Sequence, residues 1–240
     1  RLDEAISTMK RVTDLAPNFS DAHYNLANAY LQKSDFPASI ASFGRAIDIN
    51  PTYANAHFNQ STALFGNDDL KGAWLAYEWR WKTDDFKGLY PQDPSNEWSP
   101  GTKRNTLVWA EQGIGDEILF ASMLPEFNDL CESLTVSVDE RLIPLFRRSF
   151  DSNIAYTARH ASSQERDIGV FGAHDFDAHI PMGSLARYLR NHPDDFKAAS
   201  AGYLQADPQK VAQLREQLYE GKPSTVIGIS WKSNNKITGA

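Results

Sequence analysis

The sequence predicts two kinds of architecture in series: a solenoid of paired helices, then an open, mostly parallel sheet with helices on both faces. Two observations carry this reading. Pro17 and Pro51 lie 34 residues apart in similar surroundings, a spacing at which single helix pairs repeat. From Thr106 onward the apolar residues gather into short runs separated by amphipathic stretches, the pattern of alternating strands and helices. A third feature, the turn Glu111-Gln112-Gly113-Ile114-Gly115-Asp116-Glu117, is the first place along the chain where residues suited to chemistry cluster.

The bulk properties narrow the function. At 240 residues the chain exceeds a typical single core, which favours more than one domain. A formal net charge of −7 argues against a nucleic-acid backbone as the main partner, because no excess of Lys and Arg exists to displace counterions. Cys131 is the single cysteine, so no intramolecular disulfide forms, which fits a reducing, cytoplasmic setting. No apolar run approaches the ~20 residues of a membrane-spanning helix. No signal-peptide pattern is present, and because the chain begins at Arg1 without a Met this says little about targeting.

The repeats come first. Residues 21–27 align with 54–60, and Ser39, Ile40 and Phe43 align with Ala73, Trp74 and Tyr77. Small residues (Ala27, Ser39, Ala46) stand where two helices must approach closely, and Tyr24, Leu26, Tyr30, Phe36, Ile40, Phe43 and Ile47 recur at helical spacing. The proline after each second helix stops it. These units resemble the tetratricopeptide repeat, with half a unit at 1–17 and fuller units at 18–51 and 52–83. The last departs from the pattern: Arg80 and Trp81 occupy its second helix end and no proline follows, as expected of a terminal unit adapted to cap or dock. The resemblance implies a groove for a protein or peptide, with Asn25, Asn28 and Asn59 as its binding residues. His23 and His57, one period apart, are expected to pack rather than ligate. The sequons at Asn18 and Asn59 are expected to be unused.

Residues 84–105 read as a connector rich in Pro and Gly, with Trp98 expected to anchor it to an apolar surface. The strands expected in 106–240 are 106–110, 133–138, 153–156, 167–170, 178–180 and 225–230; the helices are 116–130, 140–150, 185–190, 193–199 and 208–220. Ligands of such sheets bind beyond the C-terminal strand ends, so three loops stand out. In the first, Gln112, Gly113 and Gly115 give backbone access, and Asp116 either takes a proton from a hydroxyl or caps the helix. In the second, Met182, Gly183 and Ser184 end a strand, with Ser184 capping the next helix. In the third, Lys232 and Ser233 suit phosphate contacts or belong to a solvated tail. His174, Asp175, Asp177 and His179 match no standard ligand spacing, so no metal is expected.

The order of these pieces resembles bacterial tetratricopeptide-repeat glycosyltransferases, including flagellin-modifying enzymes, and more distantly heptosyltransferases and O-linked N-acetylglucosamine transferase. The resemblance implies the N-terminal half of a GT-B fold: the repeats, then a Rossmann-like acceptor-side domain at 106–240, with the C-terminal donor domain absent. By the match to heptosyltransferases, Gly115-Asp116 falls where the general base stands. The implied parent is an inverting enzyme that uses a nucleotide sugar as co-substrate, needs no further cofactor, and contacts donor phosphate through Lys232 and Ser233. Gln112, Gly113, Gly115, Met182, Gly183 and Ser184 would then bind substrate. This portion alone is expected to be inactive. The alternative is a non-catalytic adaptor whose α/β half is a degenerate docking platform.

Overall fold

The computed structural model describes residues 1–86, 96–159, 176–196 and 202–219. The chain divides into two compact units, Arg1–Tyr203 and Leu204–Ala240. In the second, the described element is helix α10 (Pro208–Tyr219).

The first unit opens with five helices, α1 (Leu2–Leu15), α2 (Ser20–Gln32), α3 (Phe36–Ile49), α4 (Ala54–Gly66) and α5 (Leu70–Tyr77), each packed against the next. Ala27, Phe43, Ala46 and Ala56 form the fully buried centre of the α2–α3–α4 stack, with Tyr24, Leu31, Ile47 and Tyr53 around it. Burying Phe43 alone contributes about 1.5–3 kcal/mol. Ser39 is buried at the close approach, where its hydroxyl donates to the Ala27 carbonyl at 2.9 Å. The repetition reaches the backbone. Ser34 and Asp68 both take left-handed φ values, 59° and 61°, and the residue after each caps a helix: Asp35 accepts from the Ala38 amide and Asp69 from the Gly72 amide. His23 and His57 each reach the carbonyl of the preceding proline at 3.0 Å, so both serve packing. After α5 the chain tightens into a 3₁₀ turn over Glu78–Lys82.

Four parallel strands follow among the described residues: β1 (Asn105–Trp109), β2 (Ser133–Val138), β3 (Ala155–Ala158) and β4 (Ala178–Pro181), in the order β3-β2-β1-β4. Leu107 sits opposite Thr135 on one side and His179 on the other. β1 and β4 are buried almost throughout, as parallel strands covered on both faces must be. β3 begins two residues later than expected, because the Ile154 amide turns back to the Asp151 carbonyl before the strand starts. The strands expected at 167–170 and 225–230 lie outside the described residues, as does the end of the helix expected at 193–199, whose visible part is a 3₁₀ turn over Pro193–Asp195.

Two expected helices are corrected. The single helix at 116–130 is two, α6 (Ile114–Ala121) and α7 (Leu124–Asn128). Pro125 has no amide hydrogen and its ring excludes the Ala121 carbonyl, so the first helix ends there. The helix at 140–150 is α8 (Ile143–Ser149). Beyond β4 the chain enters a 3₁₀ turn over Met182–Leu185 and then α9 (Ala186–Leu189). Ser184 therefore lies inside the turn and caps nothing. Trp98 of the connector is buried between Phe127 and Tyr188, with ring centroids at 4.8 and 5.0 Å, and its amide donates to the His179 carbonyl at 2.8 Å. Glu97 bridges to β4 beside it, which covers that edge of the sheet.

Candidate functional site

The sheet order places the site. The chain steps from β1 to β2 to β3 in one direction, then crosses to put β4 on the other side of β1. Ligand crevices form at such a reversal, outside the C-terminal strand ends. Here those ends are Ala110–Gln112 and Met182–Ser184. A shallow cleft lies there, lined by Ala110, Phe120 and Met182, by three carboxylates, Glu111, Asp116 and Glu117, and by Gln112.

Two of those carboxylates are neutralised. Glu111 is buried, and Nη2 of Arg80 lies 3.0 Å from its Oε1. The same Nη2 donates to the Ser184 hydroxyl at 2.8 Å, while Nη1 pairs with Glu78 at 2.8 Å. Ser184 donates in turn to Glu78. Arg187 Nη1 also pairs with Glu78, at 3.1 Å, and Arg80 is itself 0% exposed, so two guanidiniums balance two carboxylates in this cluster. Burial pushes the Glu111 carboxyl up, with Arg80 opposing the shift. Glu117, also buried, accepts from the Asp139 amide at 2.8 Å and pairs with Arg159 Nη2 at 3.0 Å. Nη1 of Arg159 donates to the Gln112 carbonyl at 2.8 Å, which ties together the ends of β1, β2 and β3.

Asp116 is the exception. It is the third residue of α6 and half-buried. Among the described residues its carboxylate meets no cation and no hydrogen-bond donor. It does not cap α6: the flanking position is Gly113, with no side-chain cap. A carboxylate in the first turn is still favoured by the helix dipole.

The remaining predicted residues fall as follows. Gln112 lines the cleft and its amide donates to the Tyr77 hydroxyl. A Cβ at Gly115 would meet nothing within 4 Å, and one at Gly113 only Asp116 Oδ2 at 3.9 Å, so the space before this turn is open. Met182 is part of the cleft lining, whereas Gly183 and Ser184 face Glu111 and Arg80. In the repeats Asn25 is exposed, and Asn59 donates to both Asn28 and Tyr24, at 3.1 and 2.9 Å. Asp177 bonds to Asn105, and His179 is buried against Trp109. His174, Asp175, Lys232 and Ser233 lie outside the described residues.

Arg80, Glu78 and Arg159 were not singled out as site residues by the sequence reading. One signal was available: Arg80 continues the buried stripe of Ala73 and Ala76 at helical spacing. Tyr77, from the same segment, stacks on the Arg80 guanidinium at 4.3 Å, and burial pushes its phenol up to about 12.

Residues 20–53 match the tetratricopeptide repeat. The helical repeats of this chain are therefore tetratricopeptide repeats, followed by a small parallel sheet with helices. The chain is 32% identical to Protein FlbA of Caulobacter vibrioides over 235 residues, covering 91% of this chain and 39% of FlbA. It thus spans about two fifths of that relative's length. Among solved structures, the first TPR of Spaghetti bound to an HSP90 peptide aligns at TM-score 0.34 and 24% identity, over 36% of this chain and 69% of that one. A variant of the Thermobaculum terrenum O-GlcNAc transferase aligns at TM-score 0.33 and 11% identity, over 57% of this chain and 34% of that one. No helix among the described residues is long and apolar enough to cross a membrane.

Proposed function

We propose that this chain is the N-terminal part of an inverting, nucleotide-sugar-dependent glycosyltransferase of the bacterial cytoplasm, in which the repeats hold a protein acceptor and the crevice receives its hydroxyl. The observation that carries this is Asp116: of three carboxylates at the switch-point cleft, it alone has no cation against it among the described residues. An uncompensated carboxylate over an open glycine turn suits a general base. Asp116 takes the proton as the acceptor oxygen attacks the anomeric carbon, and the carbon–oxygen bond to the diphosphate breaks on the opposite face. Donor contacts fall to Lys232, Ser233 and a second domain of GT-B type. Gln112, Gly113 and Gly115 border the acceptor, with Met182 beneath it. Asn25 and Asn28 offer amide groups to a peptide in the groove, and Asn59 orients Asn28 through its own amide.

The test is Asp116→Asn in the complete protein. Transfer is lost while acceptor capture persists; sustained turnover removes Asp116 from the base role.

A second reading, a non-catalytic adaptor, is favoured by the size of the cleft. Arg80, Glu111 and Ser184, all buried, pack together behind it at 3.0 and 2.8 Å and leave little open space for a ligand. A panel of nucleotide sugars offered to the complete protein separates the two. Capture of a protein partner with no donor consumed identifies the adaptor.

A further inference from the structure

The crevice is built as much by the repeat end as by the sheet. The Arg80 guanidinium lies between the rings of Tyr77 and Trp81, 4.3 Å from each. One of its nitrogens reaches the loops at both strand ends, Glu111 after β1 at 3.0 Å and Ser184 after β4 at 2.8 Å. Tyr77 meanwhile holds Gln112, the residue following Glu111. The two residues leading into the Asp116 turn are thus both gripped by side chains of the segment 77–80. A planar fork of five donors can serve Glu78, Glu111 and Ser184 at once; an ammonium on a flexible stem cannot match that geometry.

We propose that Arg80 is the positioning residue of the crevice, holding the Glu111 and Ser184 loops so that Asp116 is aimed into the cleft. What Asp116 does there rests on the acceptor-site reading; how it is held does not.

Hydrogen exchange on the full chain tests this with Arg80→Lys and with Arg80→Met combined with Glu111→Leu. The pair is needed because removing Arg80 alone strands a buried carboxylate. The amides of Asp116 and Glu117, which donate to the Gly113 carbonyl at 3.0 Å, are expected to exchange about tenfold faster in both variants, while β1 and α2 stay within about twofold. Unchanged exchange at 116 and 117 in either variant overturns the proposal, and so does an equal acceleration everywhere, which marks Arg80 as an ordinary core residue. In the complete protein Arg80→Lys lowers kcat about tenfold with the acceptor KM unchanged; a rise in KM alone also overturns it. If Asp116→Asn remains active while the exchange pattern appears as expected, the catalytic reading fails and the assignment of Arg80 stands.

Discussion

Gly183 lies directly against the carboxylate of Glu111: a methyl group on its Cα would stand 2.3 Å from Oε1 and 3.4 Å from the Phe120 ring. Gly115 is the opposite case, with open space where its Cβ would be. The two glycines therefore separate packing from access. Gly183→Ala should destabilise the chain by about 1–3 kcal/mol through overpacking of a buried ion pair, read as a lower urea midpoint. A midpoint equal to the parent's would mean that the Glu111 loop yields freely.

Gly115→Ala should raise stability by about 0.4–1 kcal/mol, because it lies within α6 and a Cβ there reduces unfolded-state entropy. In the complete protein the added methyl group, which meets no described atom of this chain within 4 Å, should depress transfer under the acceptor-site reading. A variant both more stable and fully active would show that no substrate approaches this turn.

Ser184→Ala removes the hydroxyl shared by Arg80 and Glu78. With charged partners left short of a bond, the loss should be about 1.5–3 kcal/mol. Thermal unfolding checks this, and a change below about 0.5 kcal/mol would mean that a water replaces the hydroxyl.

Asp139 gives a pH-dependent case. Its hydrogen bond with Arg141 holds its carboxyl down to about 2, below the ordinary 3.8. A lowered folded-state pKa contributes stability that is present above 3.8 and is lost as pH falls from there through 2. Arg141 is exposed, so the contribution is under about 1 kcal/mol. Asp139→Asn should lower the thermal midpoint at neutral pH, with the difference shrinking through the acid window. A difference that grows on acidification would contradict the pairing.

Cys131 is 5% exposed and its thiol donates to the Phe127 carbonyl at 3.3 Å, while burial pushes its pKa up. Reaction with a thiol-specific disulfide reagent should be at least about a hundredfold slower in the native chain than in urea. Rapid native labelling would place α7 among the loosely held elements.

The legible parts of the fold were those that repeat or alternate locally. The 34-residue period located the tetratricopeptide helices, and the apolar runs located β1, β2 and β4. Pro125 was equally visible, but the apolar spacing on either side of it reads through as one helix unless the missing amide is counted. Both loops at the switch point, 111–117 and 182–184, were marked from their chemistry. Their wiring was not. Arg80 meets Glu111 across 31 residues and Ser184 across 104, and no local pattern records such pairings. A charged residue between two tryptophans reads as a packed helix end, but its partners stay hidden until a sheet is placed over it.

The strand order has a consequence for assembly. Helices α1 to α4 pack within the repeats, so they can form while the rest of the protein is still being synthesised, whereas α5 waits for α9 and for the Arg190 carbonyl that follows it, to which Trp74 donates. β1 must wait much longer for its second partner, since Thr106 pairs with Ala178. Until that strand arrives, the Arg80 guanidinium has no Ser184 and stands in a half-built interior. The last event in forming this unit is therefore the closing of its crevice, and a nascent chain interrupted before β4 carries its first four repeat helices beside an unfinished site.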